Sequence, residues 1–249
     1  QYSSPSLEDV VLSLNEANGS GGGIAVVGAA PVLLYVDVVE NVATDHGGGL
    51  YLEDSDMDME GVEVSDNMAN LDGGGLYLVG TSSPSLFNVA IGNNTTSDSG
   101  GGVHLADSTC APILANVSLT GNSAGEYGGG MYLGAADPGM TNVVVAGNSA
   151  ALDGGGLFLD SYSYATLAQV AIVSNDASGD GGGVFLSSYA YPALDGVILS
   201  HNSASGSGGG VMADTASAAL SYCSAYNNTP DDFSGMVDPA GADGNVSLN

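Results

Sequence analysis

The sequence predicts an all-β fold: a single-stranded parallel β-helix of about nine coils, 26–28 residues each. Three observations predict it. Gly-Gly-Gly recurs eight times, starting at Gly21, Gly47, Gly73, Gly100, Gly128, Gly154, Gly181 and Gly208, in steps of 26, 26, 27, 28, 26, 27 and 27 residues. Six residues before each triplet stands an asparagine: Asn15, Asn41, Asn67, Asn94, Asn122, Asn148, Asn175 and Asn202. Around both marks, aliphatic residues alternate at a period of two. A sequence period of this length marks a solenoid, in which each repeat buries its apolar face only against its neighbours.

Within a repeat, six of the eight units open on a proline, from Pro5 to Pro192. A first segment such as "LFNVAI" (86–91) then points Leu86, Val89 and Ile91 inward. The asparagine follows at a bend, where stacked side-chain amides bond one another and backbone groups that the turn leaves free. Two residues on comes alanine, with Thr96 the exception. The glycine triplet makes the opposite corner, where positive φ and close backbone approach are both useful. A second segment such as "LYL" (76–78) returns Leu76 and Leu78 to the core. Leu220, Cys223, Ala225 and Asn228 continue the columns into a ninth partial repeat, so the helix is expected over 1–229 and an irregular tail over 230–249. The pattern L-x-x-L-x-L-x-x-N also suits a leucine-rich repeat. Alanine after the asparagine, and "GGGLYL" where that fold coils loosely or forms helix, favour the β-helix.

Composition narrows the function. There is no Lys or Arg against 28 acids, a formal charge of -28. Such a chain repels nucleic-acid phosphates and anionic membranes. No apolar run reaches the roughly 18 residues that span a bilayer, and no charged-then-apolar leader opens the chain, as expected of a secreted protein whose leader has been removed.

The string "VSDNMANLDGGGLYL" (64–78) resembles the repeats of polymorphic outer-membrane-type proteins. The resemblance extends over about residues 4–229 and implies a right-handed parallel β-helix related to pectin lyases. It implies a secreted, extracellular or cell-surface protein, because such repeats serve as adhesins, stalks and passengers of bacterial secreted proteins. The related pectate lyases would require an arginine base, which this chain lacks, and the Gly-His-Gly of polygalacturonases is absent. An enzyme is therefore not expected.

Other candidates concern binding and assembly. Reading up the second segment, the outward residues are Ala25, Tyr51, Tyr77, His104, Tyr132, Phe158, Phe185 and Met212. An aromatic column on an outward face is a candidate contact surface for a glycan, a cell-surface protein or another copy. Neither end looks capped, so Leu7, Val10 and Leu12 of one copy are expected to continue Leu220, Cys223 and Ala225 of the next, giving a filament. Acid pairs on adjacent coils, Asp37 with Glu63, Asp98 with Glu126 and Asp153 with Asp180, have no basic side chain to relieve their repulsion. Together with Asp58 in the acid-rich stretch 53–66, they are candidate Ca2+ ligands. His46, His104 and His201 sit in unrelated columns and are expected at the surface. Cys110 and Cys223, about 19 Å apart along the axis, are too distant for a disulfide.

Overall fold

The computed structural model describes residues 4–236 and 244–248. It is a parallel β-solenoid, and no helix occurs among the described residues. Each coil contributes one strand to each of four parallel sheets. In the fourth coil these are Ser85–Phe87, Ala90–Gly92, Thr95–Thr96 and Val103–Leu105. The first sheet has nine strands, the second ten, the third eight and the fourth nine. Equivalent residues pair in frame, as Leu76 with Val103 and Tyr77 with His104. Columns of the sequence thus become ladders in space. Leu86, Val89, Ile91, Leu76 and Leu78 are all buried, as their alternation requires.

The segment "LFNVAI" is two strands rather than one. Asn88 interrupts it with φ 53°, and Asn93 breaks the chain again with φ 55°. Each coil carries one left-handed residue at both corners, and Asn, Asp and Gly tolerate that conformation best. These corners turn the chain so that Val89 and the ladder asparagine point inward.

The glycine triplet is required for three separate reasons, seen at Gly73–Gly75. Gly73 has φ 69°. A Cβ on Gly74 would lie 2.5 Å from Gly101 O and 2.6 Å from Thr95 O, so the backbones themselves are in contact there. A Cβ on Gly75 would lie 2.6 Å from Gly102 O and 3.0 Å from Asn94 Nδ2, so this glycine admits both the next coil's backbone and its asparagine.

From Asn41 to Asn228 each ladder asparagine is buried, with both its side-chain oxygen and its amide group hydrogen-bonded. Asn122 Nδ2 donates to Ile91 O at 3.0 Å and to Asn148 Oδ1 at 3.0 Å. Its Oδ1 accepts Asn94 N–H at 3.0 Å and Asn94 Nδ2 at 3.1 Å. The same pattern runs from Asn15 through Asn202 to Asn228. At Asn228 an acid takes over: Asp232 Oδ1 accepts its Nδ2 at 2.7 Å and its N–H at 3.3 Å. Thr96, which interrupts the alanine column, holds a buried hydroxyl without a partner.

The two ends differ. The described part of the tail is not all irregular, because Phe233–Ser234 extends the fourth sheet and Val246–Leu248 adds a tenth strand to the second. Asn245 Oδ1 accepts Cys223 N–H at 2.7 Å, and its Nδ2 donates to Leu220 O at 3.0 Å. The expected open end is therefore covered at Cys223 and Ala225, while half-buried Leu220 stays in the last first-sheet strand among the described residues. At the other end Leu7, Leu12 and Ile24 are only half-buried or exposed and line an apolar hollow of about 430 Å³ with Pro5 and Val26.

Gly74→Ala is expected to cost more than about 2 kcal/mol, because backbone must move to admit the methyl. Gly139→Ala meets nothing closer than 3.8 Å and is expected to be neutral or to stabilise by up to about 1 kcal/mol. Urea unfolding of the two variants checks the contrast. In the ladder, Asn122→Asp removes the donor to Ile91 O and Asn148, with an expected cost of about 3 kcal/mol from stranded buried acceptors. Asp232→Asn keeps an acceptor for Asn228 and is expected to lower the melting temperature far less.

Candidate functional site

The aromatic column forms a continuous stack. Tyr51 and Tyr77 lie 5.7 Å apart between ring centroids, Tyr77 and His104 5.1 Å, His104 and Tyr132 4.6 Å, Tyr132 and Phe158 5.3 Å, and Phe158 and Phe185 5.0 Å. It is not an open face. Residues preceding the glycine triplets pack over it, with His46 stacked on Tyr77 at 4.3 Å and Tyr127 tilted against Phe158 at 4.8 Å. His104 and Phe158 are buried at 8% and 7% exposure, and Tyr51, Tyr77, Tyr132 and Phe185 are partly covered. The ring faces are spent largely on one another and on this cover.

Beside the stack the structure joins two histidines that the sequence separates. Asp72 Oδ2 lies 3.3 Å from His46 Nδ1, and Asp72 Oδ1 lies 3.3 Å from His104 Nδ1. His104 Nδ1 also lies 3.2 Å from Ser99 O, an acceptor only, so that nitrogen carries its hydrogen. Neutral His46 accepts Asp72 N–H at Nδ1, 3.3 Å away, whereas the protonated ring would donate to Asp72 Oδ2. Asp72 Oδ1 further accepts Ser99 N–H at 3.1 Å. The expectation of surface histidines thus fails at His104. The three residues come from successive coils and two columns, which is why spacing rules did not find them.

Three of the candidate calcium ligands, Asp153, Asp180 and Glu63, have other partners. Asp153 Oδ1 accepts Asp180 N–H at 2.7 Å, and Asp180 Oδ1 accepts Ser207 N–H at 2.5 Å. A backbone donor on the next coil, rather than a cation, answers each acid. Partial burial still pushes the Asp153 carboxyl up, against the pull of that hydrogen bond. Asp37 and Glu63 are in register on the second sheet, and Glu63 accepts the Ser65 hydroxyl at 2.8 Å. Asp58 lies on another sheet, between Val32 and Ser85. Asp98 and Glu126 are linked through backbone, Glu126 N–H donating to Asp98 O. Among the described residues no group of three or more His, Cys, Asp or Glu is arranged to hold a metal ion. Calcium is therefore not supported. Cys110 and Cys223 are both free and buried. Each donates its thiol to backbone carbonyls, and burial pushes both thiols up.

Burial also pushes the phenols of Tyr51 and Tyr77 up to about 12, aided at Tyr51 by the hydrogen bond to Glu53 and at Tyr77 by the charge of Asp72. An unfolded tyrosine ionises near 10, so this stabilisation is complete below pH 10 and is lost as pH rises toward 12. His104 is shifted the other way, lowered by burial against the opposing charge of Asp72. Below about pH 6.5 the unfolded chain takes up a proton that the folded ring refuses, and stability falls. An absorbance titration is expected to show phenols ionising only near pH 12, one of them lost in Tyr77→Phe. Ionisation of every tyrosine near pH 10 with the fold intact would contradict the covered stack. His104→Phe, which keeps a ring in the stack, is expected to flatten the decline of urea stability between pH 7 and pH 5.

Comparison with known proteins gives one match. A family model described as periplasmic copper-binding protein (NosD) matches residues 6–191. No curated protein and no solved structure matches the chain. With well over half of its length matched, and with in-frame coils of the parallel β-helix throughout, the chain belongs to the NosD family.

Proposed function

We propose that the protein is a non-enzymatic structural element outside the cytoplasm, a subunit of a surface fibre or filament whose solenoids stack head to tail. The open first coil carries this reading. Its half-buried Leu7 and Leu12 border a hollow, and among the described residues its strands Ser6–Glu8 and Val11–Ser13 are each paired on one side only. Unpaired sheet edges accept further strands. On another copy the matching edge for Val11–Ser13 is the tail strand Val246–Leu248, and that for Ser6–Glu8 is Ala219–Ser221. A repeated contact of this kind does not close and grows into a fibre.

The family description speaks of copper. Cu(II) takes imidazole and carboxylate donors and Cu(I) takes thiolates. Here His104 Nδ1 is committed as a donor to Ser99 O, His201 lies beside Asn227 and Tyr226, and both cysteines are buried thiols bonded to carbonyls. His46 and His104 share only Asp72, and no group of three or more such ligands is arranged to hold a metal ion among the described residues, so the proposal rests on no copper centre.

A second reading is an adhesin or stalk domain that binds glycan or protein from the side. Two exposed tyrosine pairs favour it: Tyr162 with Tyr189 at 5.5 Å and Tyr164 with Tyr191 at 6.1 Å. Electron microscopy of the purified chain, in millimolar calcium and in chelator, separates the readings. Filaments with an axial repeat of about nine coil rises, roughly 43 Å, are expected, and they should persist in chelator because no group of acids among the described residues is arranged to hold a metal ion. Uniform short rods in both conditions would overturn the filament and leave the adhesin.

A further inference from the structure

The outer surfaces of the first and second sheets are divided along the axis by charge. In the first three coils their strands carry Glu8, Asp37, Asp58, Glu60 and Glu63. In the next six coils the same strands carry one acid, Asp195. That half is covered instead by Ser, Thr, Ala and Gly, with Phe87, Ile113, Val144 and Ile198 exposed among them, Ile113 at 61%. Tyr164 and Tyr191 stand exposed at the corner that leads into this surface.

We propose that this acid-poor half of the first two sheets is a lateral interface with a second copy of the same chain, closed by a two-fold axis across it. Net charge supplies the argument. Copies carrying -28 with no Lys or Arg set carboxylate against carboxylate wherever acids face each other, and no side chain can pair with them. Repulsion of this kind is weakest where acids are absent. This nearly acid-free area is six coils tall, whereas the acids of the same coils lie mostly in the loops before and after the fourth-sheet strands, such as Asp98, Glu126, Asp107 and Asp160, so copies approach across it at low cost. Its size is adequate. Six coils at about 4.8 Å and two strands of about 10 Å each present roughly 600 Å² per copy. The corner tyrosines add to this, against about 800 Å² per partner in a standard interface. Exposed aliphatic and tyrosine side chains are also the types that interface cores favour. The contact is independent of end-to-end stacking: it closes as a dimer, whereas stacking grows without limit.

Sedimentation velocity of the full chain at low and high salt tests it. A dimer is expected that persists at low salt, because its contact sets few charges together. Ile113→Asp with Val144→Asp places carboxylates in the contact and is expected to weaken dimerisation at least tenfold. Leu14→Asp, on an exposed first-coil corner, is expected to leave the dimer unchanged. Asp195→Asn is expected to tighten the dimer while keeping an acceptor for the Ser221 hydroxyl. Circular dichroism confirms that each variant is folded, and if the double variant is not, Asp195→Asn alone decides. A monomer under all conditions overturns the proposal, as does a dimer indifferent to both changes. A monomer retained on an insoluble neutral polysaccharide through Ile113 and Val144 would overturn it in favour of a glycan surface. Long polymers that disappear with Leu12→Asp while the dimer remains would belong to end stacking and leave the lateral contact standing.

Discussion

The fold depends on the buried row of side-chain amides. Each asparagine is held by the coil before it and holds the coil after it, so a one-residue slip in any coil would strand donors and acceptors on both sides. Buried polar groups of this kind cost about 1–3 kcal/mol each when left unpaired. That penalty makes the register of every coil a condition for its neighbours. The third glycine of the triplet leaves room for the next coil's backbone and for its amide, as the distances from Gly75 to Gly102 O and Asn94 show. The alanine two residues on keeps the same corner narrow. Apolar ladders supply most of the buried surface, but they would tolerate slippage that the amides do not.

The absence of basic side chains has been met within the backbone. Asp153, Asp180, Asp72 and Asp54 each accept a main-chain N–H from the following coil, and Asp107 accepts one from the preceding coil. A loop donor that would otherwise face water is used, and the acid gains a partner. The same absence shapes the aromatic stack, which cannot gain cation–π contacts from Lys or Arg and instead packs ring on ring beneath His46 and Tyr127.

Much of this was legible in the sequence. The repeat period, the inward columns and the asparagine ladder are all set by residue type, and the in-frame sheets follow from them. The left-handed corners were hidden because Asp9, Tyr35, Asn88 and Gln169 all occupy the same position, so no single residue type marks it. The Asp72 cluster was hidden because it joins columns from three coils. The burial of the aromatic column could not be read from alternation, which says that a side chain points outward but not that a loop then folds over it. The tail strands Phe233–Ser234 and Val246–Leu248 are too short to carry a period.

The buried amides all point the same way. From Asn41 to Asn228 every Oδ1 accepts from the amino-terminal coil, and every Nδ2 gives one hydrogen toward the carboxyl-terminal side and one back to a carbonyl of the preceding coil, so eight side-chain dipoles share one axial sense. Parallel sheets have little net moment of their own, and the short outer row from Asn142 through Asn116 to Asn88 runs the opposite way. The interior is thus an electret in miniature, with its positive pole where Asp232 closes the row. Hydrogen-bonded chains of this kind polarise one another, so each coil added to the carboxyl-terminal side meets a stronger donor than the one before.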